Sequence, residues 1–160
     1  MPNSAKHLLV GSVEAHSGKS AMVLAIAHQL KALGHSVGYG KPLGSCLDNP
    51  FGPACNATSG TQGMIDEDVR FLAQSLALPD DELHPTLLLL DQHTIQKRLL
   101  GEESIDYRDR LSAYQDSLGS DLVLIEGPGT LDEGYLFELS LGHIAEALNA
   151  SVLLVSRFSE

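Results

Sequence analysis

The segment Gly11-Ser12-Val13-Glu14-Ala15-His16-Ser17-Gly18-Lys19-Ser20 constrains this chain more than any other. An apolar run from His7 to Val10 leads into it, and a helical pattern leaves it at about Gly18. Strand, glycine-containing loop and helix in that order point successive backbone N–H groups and the positive end of the helix dipole at one concave spot, where an anion is stabilised. Lys19 adds a mobile positive charge for β- and γ-phosphates, and the Ser20 hydroxyl is placed to ligate Mg²⁺. Glu14, Ala15, His16, Ser17, Gly18, Lys19, Ser20 and Ala21 are therefore the expected nucleotide-binding stretch. Its spacing is irregular: the usual first glycine position holds Val13, and Gly11 lies two residues too early.

The rest of the chain reads as alternating strands and helices. After the loop, Val23, Ile26, Ala27, Leu30 and Leu33 recur at helical spacing, and Gly34 suits the residue just past a helix end. Ser36 to Gly40 is a second short strand, ending in Lys41-Pro42. Strand, helix and strand within so short a stretch form a βαβ unit and imply a parallel sheet. Pro42 to Gly63 is rich in Gly, Pro, Ser, Asn and Thr, and reads either as a flap beside the phosphate site or as a surface excursion. A helical period returns from Met64, with Ile65, Val69, Leu72 and Leu76 on one face and Asp66, Glu67 and Asp68 in the first turn. Carboxylates there are favourable with no function attached.

Pro79 to Glu82 is a turn. Pro85 to Leu90 is a short strand or a buried helical edge, which periodicity does not separate. A short helix is expected over Thr94 to Leu100, and a further one capped by Ser104, burying Tyr107, Leu111, Tyr114 and Leu118 and ending at Gly119. Asp121 to Glu126 is the clearest buried strand, and it runs into Gly127-Pro128-Gly129-Thr130. A carboxylate at the carboxyl end of such a strand lies where open α/β sheets place ligands, although a strand-end acid can also be merely solvated. A helix from Ser140 to Leu148 faces the sheet through Leu141, Ile144, Ala145 and Leu148. The last strand, Ser151 to Val155, nearly ends the sequence. A four-stranded sheet would leave it as an exposed edge, so a domain cut from a longer chain, or one completed by a partner, is expected.

Composition narrows the classes. The 160 residues make one domain, long enough for a real core, and 43% apolar content is that of a globular protein. A net charge of −11 argues against nucleic acid or an anionic membrane surface as the partner. No apolar run reaches the roughly 18–20 residues that span a bilayer. Met1 to Lys6 is polar and has no signal-peptide core, so a cytoplasmic location is expected. Cys46 and Cys55 fall in one Gly/Pro-rich segment; free thiols are the reading preferred over a disulfide or half of a metal site.

The phosphate loop, Lys41 and Glu126 all fall at the carboxyl edge of the proposed sheet. A buried strand ending in an acid roughly 100 residues after Gly-Lys-Ser supplies the second metal ligand of a Mg²⁺–nucleotide site, opposite the Ser20 hydroxyl. Nucleotide binding by an α/β P-loop NTPase fold, a mainly parallel sheet flanked by helices, is the resulting expectation.

Ser12 to Ser20, Gly38-Tyr39-Gly40-Lys41-Pro42, Asp66-Glu67-Asp68 and Ile125-Glu126-Gly127-Pro128-Gly129 together resemble the dethiobiotin synthetase-like P-loop domain. The closer resemblance is to the version at the N-terminus of phosphotransacetylase-family proteins, often before a DRTGG domain. It covers nearly the whole chain and implies about seven mainly parallel strands, of which this chain holds the first four or five. Residue by residue, it implies that Lys19 binds phosphates, that Ser20, Asp68 and Glu126 serve the metal, and that Lys41 assists the carbamate and the transferred phosphoryl group. Lys19 and Lys41 are thus the candidate catalytic pair, with ATP and Mg²⁺ as cofactors. The loop departs from the enzyme's Gly-Thr-(Asp/Asn)-Thr-x-Val-Gly-Lys-Thr. Glu14 stands where relatives that form ATP-bridged dimers carry a signature lysine, which argues against such a dimer.

Two classes of function follow. One is a regulatory, nucleotide-sensing module of a phosphotransacetylase-like protein, with a fused or associated regulatory domain as partner. The other is an ATP-dependent ligase-type enzyme that phosphorylates a carboxylate or carbamate, and a simple ATPase is a third. The sensing module is preferred, because the motifs support binding directly and no stretch declares an acceptor pocket. A homo-oligomer is compatible with each.

Overall fold

In a computed structural model of the chain, the residues described are 6–45, 58–60, 63–65, 67–115 and 120–158. The central sheet is built from β1 (His7–Ser12), β2 (Val37–Gly40), β7 (Leu122–Glu126) and β8 (Ser151–Val155). Its order is β2-β7-β1-β8, and every pairing is parallel. Register places Leu9 beside Ile125 and Val10 beside Glu126. The βαβ unit is split: β7 inserts between β1 and β2, so the first two strands are not neighbours.

Helices cover both faces, and strand alternation explains how. On one face Leu9, Val123 and Ile125 meet Tyr107 and Leu111 of α4 (Tyr107–Gln115) and Ile144 of α5 (Leu141–Ala147). On the other, Val10, Tyr39 and Leu124 meet Val23 and Ala27 of α1 (Lys19–Ala32) and Val69 and Leu72 of α2 (Glu67–Leu76). Each fully buried aliphatic side chain contributes about 1.5–3 kcal/mol. Because both faces are covered, the central strands read as continuous apolar runs rather than alternating ones.

Two small sheets flank this layer. β3 (Leu43–Ser45) pairs in parallel with β6 (Leu88–Leu90), and β4 (Thr58–Gly60) pairs antiparallel with β5 (Gly63–Ile65). The 85–90 segment is therefore a strand at its end, resolved by a pairing that periodicity cannot show. The helix expected from Met64 begins at Glu67 instead, and Ile65 belongs to β5. The segment expected to be irregular from Pro42 to Gly63 contains β3 and β4. The proposed flap and both cysteines otherwise lie in 46–57 and 61–62, outside the described residues.

Helix ends follow side-chain chemistry. Past α1, Gly34 adopts φ +87°, and the N–H groups of Gly34 and His35 return to the carbonyls of Lys31 and Leu30. This two-bond closure satisfies carbonyls the helix cannot. It leaves Leu33 as the capping residue, 74% exposed and off the buried face where sequence spacing had put it. The helix α3 (Gln92–Leu99) starts earlier than Thr94, because the Asp91 carboxylate accepts from the Thr94 N–H. Ser104 does not cap α4: Asp106 accepts from the N–H groups of Arg108 and Asp109. Leu118 and Gly119, the expected end of that helix, lie outside the described residues. Among those residues, no helix is long and apolar enough to cross a membrane.

Candidate functional site

β1 ends at Ser12, and the chain turns through 13–18 before α1 begins at Lys19. Ser12 anchors the turn from below: its buried hydroxyl lies 2.8 Å from the Glu14 carbonyl and 3.0 Å from the Gly129 carbonyl, bringing the loop against the turn after β7. Gly18 caps α1 at φ +95°, a left-handed conformation that glycine takes without a Cβ clash. His16 is also left-handed, at φ +55°.

The odd spacing of the glycines now has a physical account. Gly11 is a strand residue, and a Cβ there would stand 2.5 Å from Leu141 Cδ1. A Cβ on Gly127 would stand 2.7 Å from the same atom. Both glycines are therefore the floor on which the first residue of α5 packs. Gly11 is not a displaced member of the phosphate loop, and Val13, at the usual glycine position, is 48% exposed.

At the other side of the loop, the Ser20 hydroxyl donates to Glu126 Oε1 at 2.8 Å, while the Tyr39 hydroxyl donates to Glu126 Oε2 at 3.0 Å. Glu126 is 3% exposed, so both oxygens of a buried carboxylate are engaged by hydroxyls from α1 and β2. Such satisfaction is what a buried charge requires. A hydroxyl has one proton and two lone pairs; donation to Glu126 leaves the Ser20 lone pairs available to a cation. Lys19 is only 9% exposed, and no hydrogen bond or ion pair of its side chain occurs among the described residues. The Ser17 hydroxyl oxygen is buried and, among the described residues, has no hydrogen-bond partner, an acceptor and donor enclosed by the loop.

Lys41, just past β2, meets Asp68 in the first turn of α2, with Nζ 2.7 Å from Oδ2. The lysine side chain is 12% exposed and the aspartate 63%. Glu14, half-buried, turns to Arg157 beyond β8: the Arg157 N–H and Nε bond Oε1 at 3.1 and 3.2 Å, and a terminal nitrogen bonds Oε2 at 3.2 Å. These hydrogen bonds from Arg157 hold the Glu14 carboxyl below the usual carboxylate range and raise the guanidinium in return. Ala15 is half-buried, and Ala21 is exposed on α1.

The structure thus brings Ser20 to Glu126 and Lys41 to Asp68. Tyr39 and Arg157 escaped the sequence reading. Tyr39 carried only the signal of an aromatic residue two positions before Lys41, and its role depends on β7 lying beside β2. Arg157 carried none, since its partner is 143 residues away.

Among the described residues, no three His, Cys, Asp or Glu side chains gather as a metal site. A serine hydroxyl beside one carboxylate is the donor set of a hard cation completed by phosphate oxygens and water. With the unpartnered Ser17 hydroxyl and the buried Lys19, it fits a Mg²⁺–polyphosphate. A parallel sheet with a glycine-containing loop between β1 and α1, and an acid at the end of a neighbouring strand, defines a P-loop α/β domain. A family model described as AAA domain matches residues 6–160. The chain belongs to that family, a P-loop group that includes dethiobiotin synthetase-like proteins.

Proposed function

We propose that this domain binds ATP with Mg²⁺ and works as a nucleotide-sensing, regulatory module on a fused or associated phosphotransacetylase-type domain. The observation that carries the reading is the Ser20–Glu126 contact at 2.8 Å, next to a buried lysine and a loop hydroxyl that has no partner among the described residues. Lys19 and the loop amides from Glu14 to Ala21 would hold the phosphates. Ser20 and Glu126 would hold the metal, whose contribution is to neutralise and orient the phosphate oxygens.

Sensing is favoured over group transfer by the Lys41–Asp68 pair. In a ligase-type reaction Lys41 must face the transferred phosphoryl group, and here its ammonium is held by an acid on α2. A ligand that recruits either partner pulls on α2, so occupancy is transmitted to a helix on one face of the sheet. Asp68, given to the metal by the family resemblance, serves in this proposal as that coupling acid.

Titration of the purified protein with ATP and GTP, with and without Mg²⁺, tests the reading alongside a phosphate-release assay. Mg²⁺-dependent binding without steady release is expected. Steady release abolished by Lys19→Ala would overturn the sensing role, and no binding at millimolar nucleotide would overturn nucleotide recognition itself.

A further inference from the structure

The phosphate loop carries an acid of its own, and an arginine just beyond β8, the strand paired with β1, is wrapped around it. Glu14 lies five residues before Lys19, on the loop whose amides and helix dipole favour anions. An uncompensated carboxylate in that position opposes the field that the loop creates. Three donors of Arg157, one from the main chain and two from the guanidinium, converge on this single carboxylate. The main-chain side of Glu14 is fixed as well, its carbonyl accepting from the buried Ser12 hydroxyl. The loop acid is thereby held at both ends, and the segment just past β8, which contributes no residue to the phosphate loop, delivers the compensating cation.

We propose that Arg157 is a positioning residue for polyphosphate binding: it holds the Glu14 carboxylate in a fixed, neutralised pair so that the loop presents a net positive field to the anion. This inference rests on the nucleotide-binding reading above. A bidentate fork is frequent in Arg–carboxylate pairs generally; this pair differs in the added backbone N–H and in the place of its acid on the phosphate loop. Here the bidentate fork and the backbone N–H dictate where the carboxylate points.

The pair is solvent-exposed on both sides, 60% for the arginine side chain and 39% for the glutamate, so its removal leaves the core intact. Arg157→Gln, Glu14→Gln and the double variant are compared by calorimetric titration with ATP and with inorganic tripolyphosphate, after thermal melts establish that each folds. Arg157→Gln is expected to weaken both ligands by about tenfold, the cost of one unneutralised like charge near the anion. That loss shrinks as salt rises from 0.05 to 0.5 M, because screening shortens the reach of the exposed carboxylate. The double variant is expected to recover to within about threefold of the unmodified protein, since removing the acid removes the need for its cation.

A brace that merely fixed the loop would behave differently, leaving the double variant as weak as Arg157→Gln. That result, or an Arg157→Gln variant that binds both ligands like the unmodified protein, overturns the proposal while nucleotide binding stands. Lys19→Ala separates the two readings. If the unmodified protein binds neither ligand and Lys19→Ala changes nothing, nucleotide binding and the role of Arg157 fall together.

Discussion

The Ser20 hydroxyl and the Glu126 carboxylate meet at 2.8 Å although 106 residues separate them in the chain. The contact exists because β7 lies directly beside β1, with Val10 and Glu126 in register, so the end of one strand abuts the helix that follows the other. Strand pairing thereby fixes the acid against the Ser20 hydroxyl, as the metal role proposed for it requires.

Replacing Glu126 with Gln is the first consequence to measure. The amide keeps the shape but loses the charge, so Mg²⁺ should no longer strengthen nucleotide binding, with a loss of roughly 10–100-fold in the presence of the ion. Binding without Mg²⁺ should change little. An undiminished Mg²⁺ effect in this variant would remove Glu126 from the metal.

Tyr39 is buried and donates to the second oxygen of Glu126. Tyr39→Phe preserves the packing against Val23 and Leu124 but leaves a buried carboxylate oxygen short of a donor. Denaturant unfolding should show about 1–3 kcal/mol lost. An unchanged midpoint would mean that water replaces the phenol at no cost.

The two glycines beneath Leu141, one in β1 and one just past β7, make a packing prediction. Gly11→Ala places a methyl carbon 2.5 Å from Leu141 Cδ1, so Leu141 must shift out of its slot. A loss of about 1–3 kcal/mol is expected for this overpacking. Gly11→Ala combined with Leu141→Ala should be less destabilising than the sum of the two changes, because each removes the reason for the other's cost. Additive losses in a double-mutant cycle would show that the clash is relieved elsewhere.

His84 gives the pH dependence. It is 2% exposed and stacked on Tyr114 with ring centroids 4.1 Å apart. Burial first, and the nearby His7 second, push its pKa down from 6.5 to about 4. Between those values the unfolded chain binds the proton and the folded one does not, so stability rises with pH through that window. It falls away as the pH drops from about 6.5 towards 4, by at most roughly 3 kcal/mol. His84→Phe keeps the stacked ring and should flatten this acid limb in unfolding curves recorded at pH 7, 5.5 and 4.5. Parallel curves for the two proteins would assign the acid sensitivity to other groups.

Much of this architecture was legible from local pattern. The run Leu122–Glu126, the capped helix at Ser140 and the Gly34 stop each combine a periodicity with a residue whose chemistry ends or starts an element, and each stands where the pattern put it. Short segments were less legible. Gly63–Ile65 has the composition of a helix entrance, yet its pairing with Thr58–Gly60 makes it a strand, and pairing is decided by the partner. The candidate site divided the same way. Lys19, Ser20, Lys41 and Glu126 declare themselves through motif and strand-end position. Tyr39 and Arg157 acquire their contacts only from the strand order β2-β7-β1-β8, which no single segment encodes.

The phenol on Glu126 also makes the domain its own spectrometer. The chain contains no tryptophan and only four tyrosines, so its near-ultraviolet absorption and emission are dominated by the phenols, the four phenylalanines absorbing only weakly and at shorter wavelength. One of the four is hydrogen-bonded to the carboxylate proposed to face the metal. Any cation that draws charge from Glu126 alters the ground-state hydrogen bond of that chromophore, and Tyr39→Phe supplies the blank. Loading of the site can then be followed by tyrosine difference spectroscopy, with no label and no coupled assay.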